Sequence, residues 1–198
     1  KRFSARALVR TGLTILLVAI FLLLDTIEPQ LDNASFLVAM GVLGIGMGLI
    51  VSQLGNVVQS SVGDRDRSEA GGVQNTAQQL GSSLGTALLG AVVVTGLLAG
   101  FSANVASNPR IDQAVREEVQ TRLSSGGSFV PSSEVEAAAK QEGLDPGTVD
   151  ALVSDYEASQ LDALKTAFLF AALLTIASFL PTRRLPAPPR ARVRRAVT

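Results

Sequence analysis

The stretch that decides the fold is residues 70–100, AGGVQNTAQQLGSSLGTALLGAVVVTGLLAG, which contains no charged side chain and no proline. At helical spacing this stretch divides into two faces. One face, the apolar stripe, consists of Val73, Ala77, Leu80, Leu84, Leu88 and Ala91. The opposite face, the polar arc, carries only amides, hydroxyls and glycines, namely Gly71, Gln74, Asn75, Gln78, Gly81, Ser82, Gly85 and Thr86.

The polar arc distinguishes this helix from a soluble amphipathic helix, which would place Lys, Glu or Arg opposite its apolar stripe. Neutral amides and glycines are typical of a surface that faces other helices or a water-filled cavity within a membrane. A helix over residues 71–100 would be about 45 Å long at about 1.5 Å per residue, whereas the hydrocarbon layer is about 30 Å thick. The sequence therefore predicts a transmembrane helix over about residues 70–99, with its polar half at one end.

Three more windows lack ionisable side chains and contain a hydrophobic segment, and they lie between Arg10 and Asp25, between Asp32 and Asp64, and between Lys165 and Arg183. They predict transmembrane helices over about residues 7–24, 36–58 and 164–181. Only 17% of the chain is charged, which is below the usual quarter for soluble domains. The predicted fold is an all-α, polytopic membrane helical bundle with four transmembrane helices.

A hydrophilic segment, residues 100–163, separates the third predicted span from the fourth. Between residues 101 and 162 eleven acidic side chains face four basic ones. Asn108-Pro109 and Asp145-Pro146 are helix-start signals within it. We expect an external loop containing short helices, and the sequence leaves open whether it forms a small helical cap or stays partly mobile. The basic, proline-rich residues 182–198 are predicted to be a disordered cytoplasmic tail.

The distribution of charge predicts the orientation in the membrane. If four helices alternate in direction, the basic clusters at residues 1–10, 65–67 and 183–195 all fall on one side. The acidic turn at residues 25–32 and the long acidic segment fall on the other side. By the positive-inside rule both ends of the chain are predicted to be cytoplasmic in the cell membrane. The tail is interpreted as a topology anchor attracted to anionic lipid, not as a nucleic-acid arm.

Several kinds of chemistry are excluded by composition. The chain has no cysteine and no histidine, which removes disulfides, thiol chemistry, zinc sites and any Ser-His arrangement. No nucleophile, metal-ligand set or pair of acids stands at the predicted membrane face. We therefore expect no metal, no cofactor and no enzymatic activity.

Small residues recur along the second and third predicted helices. Gly41, Gly44 and Gly48 share one narrow arc of the second helix, and Gly81 and Gly85 lie on the third. Such spacing lets a neighbouring backbone approach closely. These five are predicted to be helix-packing glycines, while direct ligand contact and bending during a transport cycle remain as alternatives.

Two runs carry a resemblance to a known family. Residues 41–62, GVLGIGMGLIVSQLGNVVQSSV, followed by residues 68–92, SEAGGVQNTAQQLGSSLGTALLGAV, resemble the end of major facilitator superfamily transporters. More narrowly, they are similar to the fourteen-helix branch of drug:proton antiporters. In that branch a Gly-rich helix, a short cytoplasmic turn and an A-G-x-x-N-x-x-x-x-x-G-x-x-x-G helix precede a long external loop and a final helix.

The resemblance implies a partial major facilitator fold in which this chain supplies the last four helices of a proton-coupled exporter. It implies that the N-terminal helices of the same transporter pack against this chain and that the substrate is small, amphiphilic or drug-like. It also places the second and third helices against the central cavity. The coupling carboxylates are expected in the N-terminal part, because this chain has no ionisable side chain at membrane depth.

The candidate substrate-path residues are Gln74, Asn75, Gln78 and Ser82 on the polar arc, and Asn56 at the end of the second helix. The alternative is that they form only interhelical hydrogen bonds. A second functional class is also open, a non-transporting four-helix scaffold or assembly subunit. Because the sequence begins with Lys, we expect it to be a piece of a longer protein.

Overall fold

The computed structural model describes residues 4–26, 34–126 and 128–183. Within these ranges the chain forms seven α-helices and one short 3-10 turn. They are α1 (Ala5–Thr26), α2 (Ala34–Ser60), the 3-10 turn (Asp64–Asp66), α3 (Arg67–Ser107), α4 (Gln113–Ser124), α5 (Ser132–Gln141), α6 (Pro146–Ala177) and α7 (Phe179–Thr182). Helices α1, α2, α3 and α6 are long and apolar enough to cross a membrane, which confirms the predicted all-α polytopic bundle. Most of the predicted tail and of the acidic turn lies outside the described residues.

Two of the spanning helices are longer than the hydrophobic segments that predicted them. Helix α3 has 41 residues and α6 has 32 residues, whereas their hydrophobic segments were placed at about residues 70–99 and 164–181. The hydrophilic segment between these spans is therefore largely helical. It consists of the end of α3, the helices α4 and α5, and the first half of α6.

Helix α6 begins where the sequence placed a helix-start signal. The Asp145 carboxylate accepts hydrogen bonds from the Thr148 hydroxyl at 2.6 Å, the Thr148 backbone N–H at 3.2 Å and the Gly147 backbone N–H at 3.0 Å. These donors hold the pKa of Asp145 below its ordinary value because they stabilise the charged form. Pro146 follows in the first turn, where its missing N–H costs nothing. From there the helix continues into the hydrophobic segment without a break.

The spanning helices pack as two antiparallel pairs. Helix α1 packs along α2, and α3 packs along α6. A smaller contact between α1 and α6 joins the pairs, whereas α2 and α3 make little contact with each other. The Arg10 Nε of α1 donates a hydrogen bond to the Thr182 hydroxyl at 3.2 Å. The start of α1 and the end of α6 therefore lie at the same end of the bundle.

The contact between α1 and α2 is a direct approach of two backbones at Gly12 and Gly46. A Cβ atom added to Gly46 would lie 2.9 Å from the Leu16 backbone nitrogen and 3.2 Å from the Gly12 carbonyl oxygen. A Cβ atom at Gly12 would lie 2.8 Å from Ile50 Cγ1. Because two of these neighbours are backbone atoms, they cannot move aside by a rotamer change.

The pair α3–α6 also meets through small residues. A Cβ atom on Gly96 would lie 3.5 Å from Ala163, and one on Gly100 would lie 3.5 Å from Ser159. The Asn104 side-chain amide donates to the Ser159 hydroxyl at 3.0 Å across the same interface. Close packing of small residues and an interhelical hydrogen bond are the contacts expected between helices in a membrane.

Beyond this contact the ends of α3 and α6, with α4 and α5, form a structure that we call the cap (residues 97–160). Its core contains large buried side chains, namely Leu97, Phe101, Val105, Ile111, Val149, Leu152 and Tyr156. The rings of Phe101 and Tyr156 meet edge to face, with centroids 5.1 Å apart and planes at 86°. The sequence left open whether this segment forms a small helical cap or stays partly mobile, and its described residues form a helical cap.

Arg116, in the first turn of α4, connects this helix with the end of α3 by hydrogen bonds. Its guanidinium donates to the carbonyl oxygens of Ile111 at 2.8 Å and Asn108 at 2.7 Å. A third, longer hydrogen bond of 3.3 Å reaches the Ala106 carbonyl. Carbonyls at the end of a helix have no partner within the helix, and one side chain supplies partners here at the point where the chain turns.

We predict that Gly46→Ala destabilises the protein by about 1–3 kcal/mol, because its methyl group would overlap the α1 backbone. The measurement is the thermal unfolding midpoint of the purified protein in detergent. Gly55→Ala is the matched control, since a Cβ atom there meets nothing within 4 Å and both variants gain the same intrinsic helix propensity. Equal midpoints for the two variants would contradict the backbone contact.

We also predict that Arg116→Ala lowers stability by about 1–2 kcal/mol, because it removes hydrogen bonds from a charged donor to backbone carbonyls where α3 turns into α4. Arg116→Lys should recover only part of this loss, since an ammonium lacks the forked geometry that reaches several carbonyls. Thermal unfolding and protease resistance of the cap report both effects. Full recovery by Lys would show that only the charge matters.

Candidate functional site

The described residues leave the middle of α3 largely uncovered. On its apolar stripe, Val73, Leu80 and Leu84 are 65%, 60% and 62% exposed. On its polar arc, Asn75, Gln78 and Ser82 are also exposed, and Gln74 is half-buried. Neither face is covered along this part of the helix, because α3 packs against α6 mainly beyond residue 96.

The amides of the polar arc lack partners of their own. Gln74, Asn75, Gln78 and Ser82 form no side-chain hydrogen bond with any residue in the described part of the chain. An amide facing hydrocarbon without a partner is costly. These groups therefore need protein, water or a bound molecule beyond the described residues. Asn56 differs from them, since its amide donates to the Ser52 carbonyl of its own helix at 3.5 Å.

An open cleft of about 640 Å³ lies between the end of α2 and the start of α3, and we call it the α2–α3 cavity. Leu54 and Val58 of α2 form one wall, and Gln74 and Gln78 contribute to the other wall. Two of the five candidate residues are thus brought to one cavity. Asn75, Ser82 and Asn56 do not line it.

The α3 wall of this cavity does not follow the division into two faces that the sequence suggested. It combines Gln74 and Gln78 of the polar arc with Val73 and Ala77 of the apolar stripe. These four positions lie at i, i+1, i+4 and i+5, which places them on the border between the two faces. The wall is therefore mixed, with amides able to donate and accept hydrogen bonds beside apolar contact surface.

Two acidic side chains at the end of the cavity were not among the sequence candidates. Asp66 of the 3-10 turn and Glu69 of the first turn of α3 both line the α2–α3 cavity. The sequence signal is the charged run SSVGDRDRSE at residues 60–69, of which only the basic residues were used, as an indicator of orientation. Their carboxylates make the mouth of the cavity acidic.

The five glycines proposed for helix packing make no close contact with other helices in the described part of the chain. A Cβ atom on Gly41, Gly44, Gly48, Gly81 or Gly85 would meet nothing within 4 Å. The close contacts fall instead at Gly12, Gly46, Gly96 and Gly100. Gly46 is two positions from both Gly44 and Gly48, about 200° around the helix, so it faces the other way. A packing role for the first five stays a prediction about helices other than those described.

Among residues 4–26, 34–126 and 128–183 no group of three or more acidic, histidine or cysteine side chains could hold a metal ion. The ion pairs in this part of the chain lie outside the hydrophobic segments, at Arg67–Asp64 beside the 3-10 turn and at Arg122 and Lys140 in the cap. The site is therefore built from neutral amides and apolar walls, with carboxylates at its mouth.

Comparison with known proteins finds distant relatives over part of the chain. Over 122 residues it is 27% identical to the multidrug resistance protein Stp of Mycobacterium tuberculosis, which is 62% of this chain and 21% of the relative. Over 92 residues it is 32% identical to the probable actinorhodin transporter of Streptomyces coelicolor, which is 45% of this chain and 16% of the relative. No protein-family model matches the chain. No solved structure is significantly similar to it.

The matched segment thus spans about a fifth or less of the length of these curated relatives. Both are named for resistance or transport, and neither is named as an enzyme, which supports the expectation that this chain is not one. Together with four helices long enough to span a membrane, the similarity supports a multi-pass membrane protein with a transporter-like function.

Proposed function

We propose that this chain is the C-terminal portion of a proton-coupled exporter of small amphiphilic or drug-like molecules in the cell membrane. The observation that carries the proposal is the α2–α3 cavity, in a chain similar to drug and antibiotic transporters. Gln74 and Gln78 line this cavity together with apolar side chains. Their amides bind the polar atoms of a substrate, while Leu54 and Val58 contact its apolar body.

The proposed partner of α2 and α3 is the N-terminal set of helices of the same transporter. Large apolar side chains on α2, such as Leu37 and Ile45, are 72% and 61% exposed, and the polar arc of α3 is uncovered. Lipid suits the apolar surfaces but not the unpartnered amides. Helices on the far side of a shared water-filled path would supply partners for those amides.

Proton coupling in this proposal depends on carboxylates outside this chain. Helices α1, α2 and α3 contain no ionisable side chain between Arg10 and Asp25, between residues 34 and 60, or between Glu69 and residue 107. A proton-coupled cycle requires a group at membrane depth that changes its protonation. Asp66 and Glu69 sit at the mouth of the cavity, where they attract cationic substrates toward the path.

The weak contact between α2 and α3 suits a path that opens and closes. The two helices are joined by a short 3-10 turn, and each packs mainly on another helix. Their separation at the cavity can therefore change without breaking a large interface. In this proposal α1 and α6 hold the pairs together while α2 and α3 border the substrate.

We predict a topology with both ends of the chain cytoplasmic and the cap outside. The chain contains no cysteine, so single cysteines report position directly. A cysteine at the exposed Ser125 of the cap should react with a membrane-impermeant maleimide in intact cells. A cysteine at the exposed Ser61, in the turn between α2 and α3, should react only after permeabilisation. The reverse pattern would refute the orientation.

A second prediction concerns Gln78 in the full-length transporter. If Gln78 contacts substrate, Gln78→Ala should change efflux severalfold for some compounds and little for others, at unchanged thermal stability. Gln79→Ala is the matched control, since Gln79 is the adjacent exposed amide and does not line the cavity. Efflux of several chemically different compounds is measured beside thermal unfolding.

The structural alternative gives a different result in the same experiment. If Gln78 only forms an interhelical hydrogen bond, its loss should cost about 0.6–2 kcal/mol. Efflux would then fall for every compound alike, in proportion to the loss of folded protein. That outcome would remove Gln78 from the substrate path.

A further inference from the structure

The two short helices of the cap stand apart from each other. Helix α4 packs against α3, and α5 packs against α6, while α4 and α5 do not pack on one another within the described residues. The space between them is a cavity of about 600 Å³, which we call the cap cavity. This volume lies within the range of small-molecule binding sites.

The walls of the cap cavity are apolar and aromatic. Val115, Val119 and Leu123 recur at every fourth position of α4 and all line it. The edge-to-face pair of Phe101 and Tyr156 forms part of the opposite surface. The cavity is partly open to solvent, and an apolar cleft between two helices that both present apolar side chains to it is suited to a ligand.

Hydrogen bonds and one ion pair link the elements around the cavity. The Tyr156 hydroxyl donates to the Val130 carbonyl at 3.0 Å and accepts from the Val130 N–H at 3.1 Å. The Arg122 guanidinium of α4 pairs with Glu118 of the same helix at 2.7 Å and, across to the end of α5, with Glu142 at 2.6 Å. The ion pair between Arg122 and Glu142 connects α4, which packs on α3, with the end of α5, which packs on α6.

The charged side chains of the cavity are mostly acidic. Glu118, Glu134 and Glu142 line it, against the one base Arg122. Glu134 takes part in no ion pair within the described part of the chain. Excess negative charge beside an apolar wall attracts an organic cation and repels an anion of the same shape.

We propose that the cap cavity binds a small amphiphilic organic cation, with its apolar body between α4 and α5 and its charge beside Glu134. This site is separate from the α2–α3 cavity. Residues 78 and 98 of α3, one in each cavity, are about 30 Å apart along the helix at about 1.5 Å per residue. The proposal goes beyond the proposed function and holds whether or not the chain is part of an exporter.

The test compares tetraphenylphosphonium with tetraphenylborate, which have the same shape and opposite charge. Binding of each is measured by isothermal titration calorimetry on the whole chain purified in detergent, without a proton gradient. The phosphonium should bind at least tenfold more tightly than the borate. Efflux is not measured here, so a failure of binding and a failure of transport are distinguishable.

Two pairs of variants assign the binding to the cap cavity. Ala138→Phe places a ring in the cavity, whereas Ala137→Phe places it at the adjacent exposed position of α5, which does not line the cavity. Phosphonium affinity should fall at least tenfold for Ala138→Phe and stay unchanged for Ala137→Phe. Glu134→Gln should weaken binding about threefold, as expected for one nearby exposed charge, and Glu157→Gln, outside the cavity, should have no such effect.

Thermal unfolding of each variant separates loss of the site from loss of the fold. The proposal is supported if Ala138→Phe loses phosphonium binding at an unfolding midpoint equal to that of Ala137→Phe. It is overturned if the two phenylalanine variants bind phosphonium equally. It is also overturned if the original protein binds borate as tightly as phosphonium, or neither ion.

Discussion

An amide in hydrocarbon must have a partner, and the rest of this structure depends on how α3 meets that constraint. The polar arc of α3 carries Gln74, Asn75 and Gln78 without a hydrogen bond to any other described residue. Water satisfies such groups on a soluble helix, but the membrane interior offers none. The open face of α3 is therefore a surface for other helices, water or substrate. The α2–α3 cavity adjoins this face, and its wall contains Gln74 and Gln78 beside Val73 and Ala77.

Two kinds of packing occur along the same long helices. Within the predicted spans the helices meet through small residues, at Gly12 with Gly46 and at Gly96 with Ala163. Lipid tails are as apolar as leucine, so burying large apolar side chains between helices gains little there, and close backbone approach dominates. Many large side chains, such as Leu37 and Leu173, face outward at 72% and 60% exposed, although Leu13, Ile20 and Leu23 of α1 are buried.

The cap follows the rules of a water-soluble domain. Its large apolar side chains are inside, and its ion pairs lie on the surface, where Arg122 and Lys140 have raised pKa values because acidic side chains accept hydrogen bonds from them. Because α3 and α6 run from the spans into the cap, Phe101 and Tyr156 meet only a few residues beyond the small-residue contact at Gly100. The position of the cap is thus set by the same helix pair that crosses the membrane.

The sequence by itself determined the number of spans and the fold class, because windows without charge can be recognised from composition alone. It also located the start of α6, since Asp145-Pro146 acts locally through its own backbone. What it could not determine was that the helix beginning at Asp145-Pro146 continues into the fourth span, because hydropathy changes along α6 while helical hydrogen bonding does not.

The sequence also could not determine which glycines of α2 contact a neighbouring helix. Glycines lie on both sides of α2, and only the position of Leu16 on the neighbouring helix makes Gly46 the point of contact. The tertiary structure likewise decides which residues of α3 line the α2–α3 cavity, namely Val73, Gln74, Ala77 and Gln78. Periodicity defines which residues share a face, but the angle at which α2 approaches α3 selects the face that is used.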